Sequence, residues 1–534
     1  MPIGRSLKSG MLSHKVIIRY LKNLLLVCLA AEFPLLVYWT ANLGQIRPSV
    51  AGKPMLWIFL TISVLFSLIL LVLRNLSKST LFVMLFSLLF FTFGHLVNLL
   101  EPAFLTSKIS LSTMLLVVYG LIFLVGTFLI FRAKRIPSVL VNYLLVVFSI
   151  FAAFNLVQIL RSDPRISPGQ SAPTVAVENK LNPQNPPDVY LIILDSYDRE
   201  DLLLDYFGYD NSAFITALEE RGFYVPECAL SNYERTHIAI PAILNMNYAD
   251  QMGIPDAELD VLTPHQVNLI INSQARQIFT ELGYKYVTAR GYGAFNDIQD
   301  SDIYLNYYLS LGQSDQLADR NFLYLFIRTT LLRAYFQPHG TPLLPAGESV
   351  SEASAPIDTS GLGYEEASFW YNQTNYVFDS LADLPEEPGS YFVYAHINAP
   401  HSPYVYNPDG SFRFVTDYNE EKTLYTDAIT ALNDRILELV DTLIANSDVP
   451  PVIIIESDHG AHFFQTGINH HKILSAYYLP GEIDQQPYPT ITQVNSLRLV
   501  LHNYFDPSVM LLPDTIYVME SDGYQEFPAS CDLR

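Results

Sequence analysis

Long apolar runs separated by short polar stretches dominate the first 160 residues of the chain. Each run is about 20 residues long, enough for a helix to cross the ~30 Å hydrocarbon core of a bilayer. The first run is too long for a cleavable signal peptide, and no small-residue cleavage site with a polar mature start follows it. The predicted spans are residues 24–43, 54–73, 81–100, 111–131 and 139–160. Residues 1–160 are therefore predicted to be a membrane domain of five transmembrane helices.

Lys and Arg are distributed unevenly on the two sides of these spans. Five precede the first span, and the connections on the same side add Arg74, Lys78 and three residues within 132–135. The opposite connections hold three, at positions 47, 53 and 108. The positive-inside rule therefore predicts a multi-pass protein of the cell membrane with a cytoplasmic N-terminus. Five crossings then place the chain after residue 160 outside the cytoplasm.

Beyond the membrane domain, the pattern changes to short apolar strands that alternate with helical periodicity. Residues 161–187 are rich in Pro, Ser and Asn and are predicted to be a linker. The alternation favours an α/β domain over residues 188–534, with a mostly parallel, doubly wound sheet. The main predicted elements are strands at Val189–Asp195, Tyr391–Ile397 and Val452–Ile455 and a long helix at Glu420–Ser447.

Charge and cysteine usage separate the two parts further. Residues 1–160 hold 13 Lys and Arg against 2 Asp and Glu, so the remainder, with 18 against 51, has a formal charge of −33. Such an acidic domain is not expected to bind nucleic acid. Cys28 lies in the first span, whereas Cys228 and Cys531 follow the membrane domain. In an oxidising compartment these two either form a disulfide or remain as two thiols.

Acidic and histidine side chains follow the predicted strands at the edge where open α/β sheets bind ligands. Asp195 ends the first strand, and Asp458 and His459 follow the strand Val452–Ile455. Carboxylate oxygens and an imidazole nitrogen suit a divalent cation such as Zn or Mn. The alternatives are a helix N-cap at Asp195 and an Asx turn at Asp458. Their recurrence at several strand ends favours a metal site.

Thr236 and two histidines are the candidate catalytic groups. Thr236 is predicted at or near the N-terminus of an apolar helix, where the dipole and a nearby metal favour an ionised hydroxyl. Simple helix capping is the alternative. His396 and His401 follow the strand Tyr391–Ile397 in a Pro-punctuated segment, where they can converge on a substrate or a second metal.

Four motifs in this order resemble the alkaline phosphatase/sulfatase superfamily, in particular its sulfatase-like membrane transferases. The motifs are LIILDSYDRED, the segment around Thr236, AHINAPHSPY and ESDHGAHF. The arrangement of five spans before an external catalytic domain resembles lipoteichoic acid synthases and lipid A phosphoethanolamine transferases. The resemblance covers roughly residues 188–500 and implies an alkaline-phosphatase/sulfatase-like fold.

The resemblance also implies roles for individual residues. His396 and His401 match the histidine segment that contacts substrate or a second metal. A further basic position of the family falls on His470 or His471, and His471 is the preferred metal ligand. The metal, Zn, Mn or Mg, would be bound by Asp195, Thr236, Asp458 and His459 together with His471.

The nucleophile is the least specific part of this match. The spacing from Thr236 to Ile243-Leu244-Asn245 resembles the segment after the family's nucleophile, whereas a looser match places Glu234 there. The Cys-x-Pro-x-Arg motif of true sulfatases does not occur in this sequence. Phosphoryl chemistry through Thr236 is therefore expected rather than hydrolysis of sulfate esters.

The expected function is that of a membrane-anchored, metal-dependent hydrolase or transferase. It would move or hydrolyse a group of the phosphoethanolamine or phosphoglycerol type on a lipid-linked or cell-envelope phosphoester. The alternatives are a hydrolase of soluble sulfate or phosphate esters and a non-catalytic sulfatase-like binding protein.

Overall fold

The computed structural model describes residues 14–43, 46, 48–104, 111–163, 175, 177, 186–291, 293–313, 316–336, 362–464, 467–520 and 523–533. Most of the predicted linker, residues 161–187, lies outside these ranges. The chain forms two compact units. The membrane unit comprises Met1–Arg161 with Gln316–Ala355, and the α/β unit comprises Ser162–Asp315 with Pro356–Arg534.

Long apolar helices form most of the membrane unit. Among the described residues, five helices are long and apolar enough to cross a bilayer, as the sequence predicts. They are α1 (His14–Ala41), α2 (Pro48–Leu73), α3 (Leu76–Phe104), α4 (Leu111–Arg132) and α5 (Ser138–Ser162). The spans begin up to eight residues before the predicted ones, because polar residues at the helix ends continue the backbone hydrogen bonding.

The α/β unit alternates strands with helices, as the sequence predicts. Its strands in the described ranges are β1 (Val189–Leu194), β2 (Lys285–Ala289), β3 (Ile303–Leu305), β4 (Tyr391–Ile397), β5 (Val452–Glu456), β6 (Ser475–Tyr478), β7 (Thr515–Glu520) and β8 (Gly523–Pro528). Its helices up to β3 are α6 (Glu200–Phe207), α7 (Ser212–Glu220), α8 (Thr236–Asn245), α9 (Pro264–Ile271) and α10 (Gln274–Glu281). After β3 come α11 (Tyr307–Ser310), α14 (Leu362–Asp383), α15 (Glu421–Asn446) and α16 (Ser496–Tyr504), while α12 (Gln316–Thr329) and α13 (Arg333–Phe336) belong to the membrane unit.

The described strands β1 to β6 form one sheet in the order β3-β2-β4-β1-β5-β6, which is parallel except for β6. Alternate side chains of β1 face two separate cores. Tyr190 and Ile192 join the core that contains α14 and α15, while Leu191 and Ile193 join the core of α8, α10 and α16. A strand buried on both faces explains the uninterrupted apolar run of β1. The doubly wound architecture is therefore confirmed.

The register of the three central strands brings their carboxyl ends to one edge. Leu194 of β1 is level with Ile397 of β4, and Ile193 is level with Glu456 of β5. Residues just after β1 and β5 and at the end of β4 therefore meet above this edge.

The hairpin β7–β8 at the end of the chain packs outside the main sheet. Its Tyr517 N–H donates to the Asn232 carbonyl (3.0 Å), in the segment that leads into α8. Cys531, just after the hairpin, forms a disulfide with Cys228 (Cα–Cα 5.1 Å). Of the two possibilities that the sequence leaves for these cysteines, the structure has the disulfide.

Candidate active site

Three buried side chains converge at the carboxyl ends of β1, β4 and β5. One ligand atom from each of Asp195, His396 and Asp458 lies within 4.8 Å of the others. The Asp458 Oδ1 atom accepts from the backbone N–H groups of Ser196 (3.3 Å) and His459 (3.0 Å). Its Oδ2 atom therefore points into the cluster, 4.0 Å from His396 Nε2. Asp195 Oδ2 is 3.5 Å from the same nitrogen.

Helix α8 begins beside this cluster with Thr236 as its first residue. Arg235 before it is extended (φ −134°), so the chain enters the helix sharply at this point. The Thr236 hydroxyl lies 3.0 Å from His459 Nε2. His459 donates from Nδ1 to the Gly460 carbonyl (2.8 Å), which leaves a lone pair on Nε2 for the hydroxyl. His459 Nε2 is also 3.4 Å from Asp458 Oδ2, which joins Thr236 to the cluster.

Charge stabilises the ionised form of Asp195. Burial opposes that ionisation, but the neighbouring His401, His396 and His459 outweigh it and hold the pKa of Asp195 below its usual range. Burial likewise disfavours a charged His396, yet the carboxylates of Asp195 and Asp458 raise the pKa of His396 above its ordinary value. The site thus concentrates ionised carboxylates in a place from which water is largely excluded.

The donor set of this cluster fits a divalent cation. Asp458 Oδ2 is buried and has no hydrogen-bond partner, although buried polar atoms nearly always have one. The Nδ1–H group of His459 donates to the Gly460 carbonyl, and a metal-binding histidine usually makes such a hydrogen bond with its other ring nitrogen. Two carboxylates, an imidazole and a hydroxyl are hard and borderline ligands of the kind that Zn, Mn or Mg accept.

Comparison with known proteins agrees with this geometry. The family model described as Sulfatase matches residues 187–497, which is more than half of the chain. The chain belongs to the sulfatase family. The sulfatase domain thus comprises residues 187–497, and the protein acts on phosphate or sulfate esters.

Several solved structures are similar to this sulfatase-family chain. The C-terminal periplasmic domain of EcEptC from Escherichia coli in complex with Zn is 12% identical, with 68% of this chain and 99% of that chain covered and a TM-score of 0.38. The lipoteichoic acid synthase LtaP from Listeria monocytogenes is 10% identical, with 65% and 88% covered and a TM-score of 0.37.

A third similar structure includes a membrane part. The integral membrane protein lipooligosaccharide phosphoethanolamine transferase A (EptA) from Neisseria meningitidis is 12% identical, with 89% and 94% covered and a TM-score of 0.39. No curated protein matches the sequence.

His401 lies next to the cluster of the sulfatase domain. Its backbone N–H donates to the Asp195 carbonyl (3.1 Å), and its Nδ1 atom contacts the Ser402 carbonyl (2.7 Å). The His401 ring is 6.3 Å from the ring of His462, which in turn contacts Glu421 (3.2 Å). His462 is not among the predicted site residues, although it stands three residues after His459 in the same motif. The two rings and the carboxylate extend the site beyond the buried cluster.

His471 is placed differently from the other predicted site residues. Its Nδ1 atom lies 2.8 Å from the Ser231 carbonyl and its Nε2 atom 3.1 Å from Glu234 Oε1. Both ring nitrogens of His471 therefore contact Ser231 and Glu234 rather than Asp195 or Asp458. His470, the other candidate, packs its ring 5.4 Å from that of His459, and burial holds the pKa of His470 well below its ordinary value.

His396 is oriented by a residue that the sequence analysis did not select. The Tyr394 hydroxyl donates to Asn296 Oδ1 (2.7 Å), which turns the amide N–H of Asn296 toward His396 Nδ1. With Nδ1 acting as acceptor, the proton of His396 is on Nε2, directed into the cluster. His396 is thus arranged as a hydrogen-bond donor to the site. Asn296 follows β2 in a short turn, and nothing in its sequence context marks it.

Proposed function

We propose that this chain is a metal-dependent phosphoester transferase or hydrolase that uses Thr236 as its nucleophile. The main support for this proposal is the 3.0 Å contact between the Thr236 hydroxyl and His459 Nε2, at the edge of the buried Asp195–His396–Asp458 cluster. Thr236 is only half-buried, so a substrate can reach it, whereas the carboxylates behind it are fully enclosed.

Asp195, Asp458, His459 and Thr236 would hold a divalent cation, Zn, Mn or Mg. Such a cation supplies positive charge that favours an ionised hydroxyl and attracts phosphoryl oxygens. His471 is left out of this set because it pairs with Glu234. Glu234 is equally unsuited to be the nucleophile, since it accepts from His471 and from the N–H of Met519 (3.2 Å).

Each of the site residues has its own role in the proposed reaction. Thr236 stands at the N-terminus of α8, where the helix dipole favours negative charge on its oxygen. The Thr236 hydroxyl loses its proton to water, its oxygen attacks phosphorus in line, the bond to the leaving oxygen breaks, and phosphothreonine forms. His396, which carries its proton on Nε2, donates to a phosphoryl oxygen, and His401, acting as an imidazolium, gives the proton of its Nε2 atom to the leaving oxygen. Water or an acceptor hydroxyl then releases the group and restores Thr236.

The substrate side of this proposal rests on the membrane unit and the disulfide. A disulfide between Cys228 and Cys531 is stable only in an oxidising compartment, in agreement with the outward orientation that the basic residues predict. A catalytic domain tethered to five spans acts close to the bilayer surface. A lipid-linked or cell-envelope phosphoester, of the phosphoethanolamine or phosphoglycerol type, is therefore the proposed substrate class.

The test compares full-length wild type with Thr236→Ala and Thr236→Ser in detergent. Bound metal is measured by elemental analysis, and turnover is measured with p-nitrophenyl phosphate, p-nitrophenyl sulfate and vesicles of phosphatidylethanolamine and phosphatidylglycerol. We expect about one metal per chain, phosphoester turnover, a loss of about 10³-fold or more in Thr236→Ala and partial retention in Thr236→Ser.

Three outcomes would contradict parts of the proposal. Metal binding without turnover in any assay favours a non-catalytic binding protein. Turnover of the p-nitrophenyl esters without any action on lipid favours a hydrolase of soluble esters. Full activity in Thr236→Ala removes Thr236 as the nucleophile.

A further inference from the structure

Residues 316–336 leave the sulfatase domain and pack within the membrane unit. They lie inside the span matched by the family model, between β3 and α14 in sequence, yet α12 and α13 group with α1–α5. Residues 316–336 fall within the predicted α/β domain, residues 188–534. Their placement is independent of the proposed catalytic function.

One face of α12 is inserted among the transmembrane helices. The Phe322 ring lies 5.9 Å from Tyr38, three residues from the end of α1, and the Phe326 ring lies 6.1 Å from Phe91 in α3. Both phenylalanines belong to the buried core of the membrane unit. Along its length α12 therefore descends from the end of α1 toward the middle of α3.

The turn after α12 lies level with the middle of the apolar span of α3. The Leu331 N–H donates to the Phe90 carbonyl (2.7 Å). Phe90 lies ten residues before Leu100, where the apolar span of α3 ends, which is about 15 Å at the rise of an α-helix. That distance is half of a hydrocarbon core ~30 Å thick.

The backbone N–H groups of this turn are hydrogen-bonded within the protein, as a nonpolar surrounding requires. Besides Leu331, the N–H groups of Thr330 and Arg333 donate to carbonyls, and that of Leu332 donates to the Thr330 hydroxyl (3.2 Å). Irregular backbone occurs at membrane depth only when its polar groups are bonded within the protein.

Gly94 and Arg333 fit the turn closely to α3. A Cβ atom at Gly94 would overlap the Arg328 carbonyl oxygen and lie 2.6 Å from the backbone of Thr329. The Arg333 guanidinium is buried and donates to the Gly94 carbonyl (3.1 Å) and to Asn98. Close backbone approach through a small residue, with a polar bond beside it, is how helices associate in membranes.

Three leucines beside the buried face of the segment are apolar and exposed. Leu323, Leu325 and Leu332 are 46%, 48% and 40% exposed. The outward face of α4 has the same character, for example at Leu124 with 65% exposure, and that face has only acyl chains to contact in a five-helix protein. The turn between these leucines lies at the depth of Phe90, where neither water nor lipid head groups occur.

We propose that residues 316–336 form a re-entrant hairpin that dips halfway into the bilayer and contacts lipid acyl chains. The hairpin enters from the side of the Ala41 and Leu100 ends of α1 and α3, which is also the side on which α5 ends. The sulfatase domain thus contributes a lipid-contacting element of its own, in addition to the transmembrane helices that precede it.

The test places a nitroxide at positions 323, 325 and 332 of the full-length chain. The variants Leu323→Cys, Leu325→Cys and Leu332→Cys are made in a Cys28→Ala background and reconstituted in phosphatidylethanolamine–phosphatidylglycerol vesicles. Collisions with oxygen, which partitions into lipid, and with a water-soluble nickel chelate are measured by spin relaxation. Leu124→Cys is the lipid reference, and Met510→Cys, 69% exposed on the α/β unit, is the water reference.

We expect labels at the three leucines to match the label at Leu124, with frequent oxygen collisions and several-fold fewer nickel collisions than at Met510. Nickel access equal to that at Met510 would overturn the proposal, because the face would then be in water. Low access to both reagents would also overturn it, because a second copy or another protein would cover the face.

A matched pair of glycine variants tests the docking of the turn. Gly94→Ala is expected to displace the hairpin and raise nickel access at position 323 several-fold, without changing access at position 124. Gly120→Ala, where a Cβ meets nothing within 4 Å, is expected to change neither. Unchanged access in Gly94→Ala would show that the turn does not pack against α3.

Discussion

His396 and His459 hold their protons on different ring nitrogens, and a hydrogen bond to each ring decides which nitrogen carries the proton. The Gly460 carbonyl keeps the proton of His459 on Nδ1, whereas the Asn296 amide keeps that of His396 on Nε2. One ring therefore presents a lone pair to the site and the other presents a donor. The division of roles between metal ligand and hydrogen-bond donor follows from these two contacts.

Asn296→Asp should therefore lower turnover without unfolding the protein. A carboxylate in place of the amide accepts at His396 Nδ1, so in the neutral ring the proton moves to Nδ1 and Nε2 has none to donate. We expect a loss of 10- to 100-fold in kcat, the usual effect of changing a residue that orients a site group. Asn375→Asp, whose amide donates within α14 (2.9 Å), is the control for the change of charge. Equal activity of the two variants would contradict the assigned orientation.

A buried carboxyl beside the site should make stability depend on pH. Burial raises the pKa of Asp198 to about 7, although its Oδ1 accepts from the Ala461 N–H. Because the folded pKa exceeds the unfolded value, this contribution is complete below the unfolded pKa of 3.8 and is lost as the pH rises through about 7.

Asp198→Asn should thus unfold at a higher temperature than wild type at pH 8 and at a similar temperature at pH 4. The expected gain at pH 8 is about 1–3 kcal/mol, because the amide keeps an acceptor without a buried charge. Thermal unfolding across this pH range measures it, with the exposed Asp205→Asn as the control. A gain that is independent of pH would point to packing rather than ionisation.

The sequence was informative about those site residues whose position follows from strand geometry. Asp195 comes directly after β1, and Asp458 and His459 come two and three residues after β5. Parallel strands share one carboxyl edge, so the meeting of these residues could be predicted. His470 and His471 could not be distinguished, because adjacent residues in a short turn direct their rings to different neighbours. Asn296 stands in an irregular turn, whose path depends on tertiary packing.

At the scale of elements, the turn after β5 connects the sheet to the site. The Gly460 N–H donates to the His470 carbonyl (2.7 Å), and a Cβ at Gly460 would lie 2.7 Å from that oxygen and 2.9 Å from Asp198 Oδ1. The turn therefore has no room for a side chain between two segments that are themselves held in place.

Gly460→Ala should displace this turn and His459 with it. We expect a loss of 1–3 kcal/mol in the free energy of unfolding, as for other overpacked sites, together with a several-fold weaker metal affinity. Metal titration and chemical unfolding measure the two effects, and Gly120→Ala supplies the background for the same substitution. Wild-type metal affinity in Gly460→Ala would mean that the turn relaxes without moving His459.

The elements themselves were predicted to different degrees. The spans and the central strands could be read from the sequence because their burial is continuous over many residues. The hairpin 316–336 could not, since its apolar stretch is too short for a span and carries Arg328 and Arg333. Only its contacts with α1 and α3 reveal where it lies.

At the scale of the whole molecule, the hairpin β7–β8 and Cys531 support the segment that precedes Thr236. The β7 strand bonds to Asn232 and Glu234, and the disulfide joins Cys228 to Cys531 across 303 residues. These contacts lie just before and within the polar segment that leads into α8.

Replacing Cys228 and Cys531 together by Ser should destabilise the α/β unit by roughly 2–5 kcal/mol, because a long loop is no longer closed in the unfolded chain. Thermal unfolding with and without a reductant measures the effect. Reductant is expected to lower the transition of wild type and to leave that of the double variant unchanged. Equal transitions for the oxidised wild type and the double variant would show that the disulfide contributes little.

The dependence of Thr236 on residues almost 300 positions later also orders events during synthesis. A ribosome makes β7 and Cys531 almost 300 residues after Thr236, so the segment before Thr236 is made well before these partners. Until then, the segment before Thr236 lacks the partners that hold it beside His459. Under the proposed role of Thr236, a chain that has not yet paired β7 with this segment is therefore expected to be inactive.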